Sequence, residues 1–131
     1  MDGQVVLTWQ RFGRMIEACK AFKERSCLYV IAEPSGKPLY IGGAGGRDGL
    51  DGRYRGGTAS AVDAALHGSA NIIFVAPIPD DKVKAAEKAL IFAEKPMYNR
   101  QGKIVPLTAM PVESLVHAGD PPQFTYRHRI R

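Results

Sequence analysis

The chain has 131 residues, of which 45% are hydrophobic and 24% charged, a globular composition that argues against disorder and predicts one domain. Its two cysteines, Cys19 and Cys27, are too few for a disulfide framework or a structural zinc site, so we expect reduced thiols in a cytoplasmic protein. No apolar run is long enough for a membrane helix, and the net charge of +5 permits a polyanionic partner without requiring one.

The first predicted element is a helix over residues 8–25, with Thr8 as a plausible N-cap. Its apolar side chains recur three or four residues apart, at Trp9, Phe12, Ile16, Cys19 and Phe22. Basic residues occupy the rest of its surface. This pattern favours a helix that packs on the core with a solvated basic face, and direct contact with phosphates is the alternative.

A β-hairpin is predicted next. The β-rich runs 27–32 and 39–41 flank a segment with the turn residues Pro34, Gly36 and Pro38, which favours two antiparallel strands. Residues 42–57 follow, and eight of these sixteen are glycine, which predicts a flexible loop. The glycine spacing matches neither a P-loop nor a dinucleotide-binding motif.

The remaining elements complete a small α+β domain. We expect an Ala-rich helix over 58–66, a strand over 71–76, and a helix from Asp80 to about Lys95 that Pro96 ends. Beyond residue 100 the chain is proline-rich and is predicted to be irregular, with one short strand near 104–107. The predicted fold class is therefore α/β (α+β), with a three-stranded, mainly antiparallel sheet flanked by helices.

Two features suggest chemistry. Tyr29 and Tyr40 lie one on each hairpin strand, so both can project from one face of the sheet. Glu87 lies at the edge of the apolar face of the last helix, where a carboxylate needs a partner. An arginine and a metal ion are both possible partners.

Three motifs occur in a consistent order along the chain. Cys27-Leu28-Tyr29 is followed after ten residues by Tyr40-Ile41-Gly42; Leu50 to Arg53 reads L-x-x-R; and Glu87 to Asn99 reads E-x-x-L-I-x-x-x-x-P-x-Y-N. This combination resembles the GIY-YIG endonuclease family, in particular the catalytic module of the bacterial nucleotide-excision-repair incision nuclease. The resemblance covers residues 26–100 and leaves 1–25 as an N-terminal helix extension and 101–131 as a C-terminal extension.

The resemblance implies a stand-alone, metal-dependent DNA endonuclease. Glu87 would be the sole protein ligand of one Mg²⁺ or Mn²⁺, Arg53 would hold the scissile phosphate, and Asn99 would orient the site. A tyrosine would act as the general base, and Tyr29 and Tyr40 are equal candidates.

The sequence departs from the family pattern after Arg53. Many members have a histidine or tyrosine four residues later, where this chain has Gly57. Arg55 is therefore a second candidate for the phosphate clamp, and Tyr54 or His67 could replace the missing side chain, although a helix-end role suits His67 better. This departure motivates an alternative, a non-catalytic nucleic-acid-binding module that keeps the fold.

Several basic residues outside the motifs are candidate DNA contacts. The C-terminal segment combines basic side chains with Phe124 and Tyr126, a composition suited to a nucleic-acid backbone and equally to a solvated terminus. We expect DNA as the partner and no membrane association. The candidate DNA-binding residues are Lys37, Arg47, His67, Arg127 and Arg129.

Overall fold

The protein is an α+β domain built on a mixed β-sheet with helices on both faces. The computed structural model describes residues 4–23, 25–45, 71–99, 110–126 and 129–130. The described strands are β1 (Val5–Phe12), β2 (Cys27–Ala32), β3 (Pro38–Ala44), β4 (Ile72–Pro77), β5 (Leu115–Gly119) and β6 (Arg129–Ile130), in the sheet order β3-β2-β4-β1-β5-β6. The described α-helices are α1 (Met15–Ala21) and α2 (Val83–Glu94), with short 3-10 helices at Asp80–Lys82 and Val112–Ser114.

The predicted hairpin and the strand predicted over 71–76 are confirmed. Strand β2 pairs antiparallel with both β3 and β4, so the three expected strands are neighbours. The hairpin turn is closed by the bond from Glu33 N to Lys37 O (3.0 Å), and Gly36 adopts a φ of 96°. This left-handed conformation favours glycine, because glycine has no Cβ atom that would clash with the backbone.

The glycine-rich loop predicted over 42–57 begins too early. Gly42 pairs with Tyr29 and Gly43 pairs with Leu28, so β3 continues to Ala44. Ladder hydrogen bonds outweigh the low strand preference of glycine here, because the partner strand is fully buried.

The helix predicted over residues 8–25 is wrong in its first half. Residues 5–12 form β1, in which Val5, Leu7 and Trp9 are buried and the residues between them are exposed. Apolar residues therefore recur every two positions, as in a strand, although Trp9 and Phe12 also fit the spacing of a helix. Hydrogen bonding to β4 and β5 stabilises the strand. Thr8 is thus a strand residue, and α1 starts after Arg14.

The chain beyond residue 100 is more regular than predicted. Strand β5 pairs parallel with β1, and β6 pairs parallel with β5. The sheet is therefore wider than three strands and mixed in direction, and both predicted extensions, 1–25 and 101–131, add strands to it. The helix expected over 58–66 and the strand expected near 104–107 lie outside the described residues.

Apolar side chains fill both faces of the sheet. On one face, α2 packs on Leu28, Phe74 and neighbouring residues, and on the other face α1 packs on Ile31, Val75 and their neighbours. Helix α2 agrees with its prediction; it is preceded by the 3-10 turn and ends at Lys95, which adopts a φ of 47°. The two helices therefore lie on opposite sides of the sheet.

A buried polar network joins the centre of the sheet to the C-terminal segment. Trp9 Nε1 donates to His117 Nδ1 at 2.9 Å, and His117 Nε2 lies 2.5 Å from the Tyr126 hydroxyl oxygen. Because Nδ1 accepts the indole hydrogen, a neutral His117 carries its proton on Nε2. The Glu94 carboxylate accepts from the backbone N–H groups of Thr125 and Tyr126 at 2.9 Å, which fixes the same segment to α2.

Both cysteines are buried thiols, Cys19 on α1 and Cys27 at the start of β2. In the part of the chain that the structure describes, no helix combines the length and hydrophobicity needed to span a bilayer.

Candidate active site

The end of strand β3 brings several of the predicted site residues close to glycine backbone. A Cβ atom at Gly42 would lie 2.5 Å from the Tyr29 hydroxyl oxygen, which is closer than real Cβ contacts allow. The end of the Tyr29 ring therefore lies directly over Gly42, and only glycine admits it there.

The Glu87 carboxylate approaches the same strand from its other side. A Cβ atom at Gly43 would lie 3.0 Å from Glu87 Oε1 and 2.6 Å from Val83 Cγ1. Successive residues of a strand point to opposite faces, so Gly42 receives the tyrosine and Gly43 receives the glutamate. Glu87 is half-buried in this position.

Asp80, which is not among the predicted site residues, is a second acidic residue at this strand end. A Cβ atom at Gly45 would lie 2.7 Å from Asp80 Oδ1. Asp80, Val83 and Glu87 are spaced three and four residues apart, so one side of the 3-10 helix and α2 faces Gly43 and Gly45. The seven-residue interval between the two carboxylates was the signal in the sequence.

Tyr29 and Tyr40 project from the same face of the sheet. Their ring centroids are 6.0 Å apart with an interplanar angle of 36°, and the side chains are 1% and 8% exposed. This is the face covered by α1, whereas Glu87 lies on the face covered by α2. The tyrosines and the carboxylate therefore lie on opposite faces of the sheet.

Asn99 binds the outer edge of β3. Its Oδ1 accepts from Ile41 N at 2.9 Å, and its Nδ2 donates to Ile41 O at 2.8 Å. The preceding Tyr98 N donates to Leu39 O at 3.0 Å. Asn99 is 6% exposed, and its amide supplies hydrogen-bond partners for the edge backbone groups of Ile41. Ile41 directly precedes the glycines that Tyr29 and Glu87 approach.

The two predicted basic residues that the structure describes, Lys37 and Arg129, lie away from this site. Lys37 is exposed just before β3, about 20 Å along the chain from Gly43 at 3.3 Å per residue. Arg129 belongs to β6, on the opposite edge of the sheet. The other predicted clamp and DNA-binding residues, Arg47, Arg53, Arg55, His67 and Arg127, lie outside the described residues.

The donors at the strand end are oxygen atoms. Among the described residues, no group of three or more His, Cys, Asp or Glu side chains could hold a metal ion. Carboxylates are the ligands that Mg²⁺ and Mn²⁺ prefer, and Mg²⁺ commonly keeps several waters and binds through one or two carboxylates plus substrate phosphates. The chemistry of Glu87 therefore fits a hydrated divalent cation.

Comparisons with protein-family models, with curated proteins and with solved structures find no match to this chain.

Proposed function

We propose that this protein is a metal-dependent endonuclease that hydrolyses phosphodiester bonds in DNA. The observation that supports this most strongly is the approach of Tyr29 and Glu87 to adjacent glycines, Gly42 and Gly43, at one end of an edge strand. These are the tyrosine and the glutamate that the resemblance to GIY-YIG endonucleases assigns to catalysis. Their positions follow from strand pairing and helix packing, which the motif spacing does not specify.

In this proposal Glu87, on the face of the sheet covered by α2, would hold one Mg²⁺ or Mn²⁺. When bound, the cation would supply Lewis-acid stabilisation of the negative charge that develops on the phosphate. Tyr29 is the general base that we favour over Tyr40, because the end of its ring lies over Gly42, the neighbour of the glycine that Glu87 approaches. Asn99 positions the strand by binding both backbone groups of Ile41, and Arg53 or Arg55 is the proposed phosphate clamp.

Plasmid cleavage by matched carboxylate variants tests the proposal. The wild-type protein should nick or cut supercoiled DNA with Mg²⁺ or Mn²⁺ and should be inactive with EDTA. Glu87→Gln should lose more than about 100-fold in rate, since even indirect supports of a metal ligand cost 10 to 100-fold. Glu17→Gln is the control, because Glu17 is an exposed carboxylate on α1. Equal cleavage by the two variants would refute the role of Glu87.

The hydroxyl groups of the two tyrosines can be compared in the same assay. A general base typically contributes 10²–10⁴-fold to the rate. Tyr29→Phe should therefore abolish most cleavage, whereas Tyr40→Phe should retain it. The reverse result would assign the base to Tyr40 and contradict the preference for Tyr29.

The alternative function is a nucleic-acid-binding module without catalysis. The observation that favours it is the burial of both tyrosines on the face opposite Glu87, at 1% and 8% exposure. Salt-dependent DNA binding by the wild-type protein, with no cleavage across Mg²⁺ and Mn²⁺, would support this alternative over the endonuclease.

A further inference from the structure

An open groove lies at the same end of the sheet as the glycines of β3. Its volume is about 460 Å³. Cys27 pairs with Ala44 on one side and with Pro77 on the other, so the ends of β3 and β4 and the start of β2 are level. Among the described residues the groove is lined by Arg25, Ser26, Pro77, Ile78 and Pro79.

The walls of this groove are held together by hydrogen bonds between Ser26 and Ile78, which are far apart in the chain. The Ser26 hydroxyl donates to Ile78 O, and Ile78 N donates to Ser26 O at 3.3 Å, which extends the pairing of β2 and β4 past the strand ends. Pro77 and Pro79 have fixed φ angles on either side of Ile78. These contacts hold the lining residues in a fixed arrangement.

Arg25 supplies a cation at the rim. Its guanidinium carbon lies 5.1 Å from the centroid of the Phe22 ring, and its backbone N donates to Phe22 O at 3.3 Å. A guanidinium in contact with an aromatic face loses little freedom on binding and can still donate two parallel hydrogen bonds to a phosphate. Lys20 and Lys23 are exposed on the segment that leads to Arg25.

One described acidic residue, Asp80, follows the lining residues of the groove in the chain. Asp80 follows Pro79 directly, but its carboxylate lies against Gly45 at the end of β3. The groove and the candidate active site therefore present different charges, a guanidinium at the former and carboxylates at the latter. An anionic strand that passes both would contact Arg25 directly and the carboxylates through a cation.

We infer that the groove at Arg25 and Ser26 binds a backbone phosphate of the nucleic acid, on the strand that is cleaved at β3. This inference rests on the proposed endonuclease function. Ala44 and Pro77 are separated by two strand spacings, about 10 Å. For a B-form duplex whose axis runs along the line of the strand ends, at 3.4 Å of rise per nucleotide, that length corresponds to about three nucleotides between the bound phosphate and the cleaved bond.

The test compares DNA affinity over a range of salt concentrations, in the Glu87→Gln background so that the substrate stays intact. A fluorescent duplex oligonucleotide is the probe. Arg25→Gln should weaken binding and reduce the slope of log affinity against log salt by about 0.9, the value for one lost phosphate contact. Arg14→Gln is the matched control, because Arg14 is an exposed arginine at the other end of α1. Equal losses in the two variants, or no loss in either, would overturn the inference.

A methylphosphonate scan locates the contact. Replacing one phosphate at a time by a neutral methylphosphonate should reveal one position that weakens binding to the protein with Arg25 and has no effect on Arg25→Gln. The absence of such a position would overturn the inference. If Arg25→Gln unfolds, Arg25→Lys replaces it; this variant keeps the charge, so it should weaken binding without changing the slope and should reduce, but not remove, the effect of the coupled methylphosphonate.

This scan separates the inference from the proposed function. If the wild-type protein does not cleave DNA but the scan finds a phosphate coupled to Arg25, the endonuclease function is refuted and the groove remains a phosphate-binding site. If the protein cleaves DNA but no phosphate is coupled to Arg25, the endonuclease function stands and the role of the groove is refuted. Where cleavage and coupling both occur, a coupled position far from about three nucleotides would refute the placement.

Discussion

At the residue scale, glycines at the end of β3 determine how closely side chains can approach the sheet. Gly42 leaves room for the Tyr29 ring, and Gly43 leaves room for Val83 and Glu87. The proposed site therefore depends on the absence of Cβ atoms on both faces of one strand as well as on the acidic and phenolic groups themselves.

Gly43→Ala should destabilise the protein by about 1–3 kcal/mol, because the new Cβ would overlap Val83 Cγ1 and force α2 away from β3. Gly13→Ala is the control, since a Cβ there meets nothing within 4 Å and its φ is not in the left-handed region. Urea unfolding measures both. A change of less than about 0.5 kcal/mol in Gly43→Ala, typical of a neutral surface substitution, would contradict the close packing described.

At the element scale, the segment that follows α2 protects the outer edge of β3. An edge strand with unpaired backbone groups is prone to pair with other chains. Here Tyr98 and Asn99 bind Leu39 and Ile41, so the reversal of the chain after Lys95 brings a polar side chain to the strand edge.

Asn99→Ala should destabilise the protein by about 1–3 kcal/mol, because Ile41 N–H and C=O lose their partners in a buried position. Met97→Ala is the control from the same segment, with a side chain that is 69% exposed and an expected change within about 0.5 kcal/mol. Chemical denaturation measures both variants, and equal stabilities would show that Asn99 does not hold the edge.

At the scale of the whole molecule, two buried groups that keep their protons make the folded protein less stable as the pH becomes alkaline. Burial raises the pKa of the Cys27 thiol to about 12, with a further increase from Cys19 and an opposing effect from Arg25. Burial and the carboxylates of Glu94 and Glu113 also raise the pKa of Tyr126. The unfolded chain therefore releases these protons at a lower pH than the folded chain.

The free energy of unfolding should consequently fall as the pH rises from about 9, since deprotonation there favours the unfolded chain. Cys27→Ala and Tyr126→Phe should each show a smaller loss between pH 9 and pH 10.5 than the wild-type protein. Fluorescence of Trp9, the sole tryptophan, reports the urea midpoint at each pH. Identical losses in wild type and both variants would contradict the assignment to these groups.

The sequence predicted those parts of the fold that depend on local patterns. Strands β2 and β4, the hairpin turn and α2 follow from β-rich runs, turn residues and helical spacing, and they agree with the structure. The first half of the predicted helix over 8–25 overlaps β1, because Trp9 and Phe12 also satisfy helical spacing. The alternation of buried and exposed residues identifies a strand only when the neighbouring strands are known. Strand β5 was missed because its parallel pairing with β1 is a long-range contact.

Only part of the candidate site could be predicted from the sequence, because local patterns do not specify how distant elements pack. Tyr29 and Tyr40 were expected on one face of the hairpin, and the strand register places them there. That Glu87 lies on the other face depends on which side of the sheet α2 packs, and no local pattern specifies this. The catalytic roles of these residues remain predictions.

The central position of β1 also affects how the chain folds as it is synthesised. Its Gln10 pairs with Val75 and its Val5 with Leu115, so both partners leave the ribosome long after β1 does. At 5–20 residues per second, roughly 5 to 20 s pass before β5 is made. During that time the apolar side of β1, with Leu7 and Trp9, lacks its final neighbours, and nascent chains at this stage should depend most on chaperones.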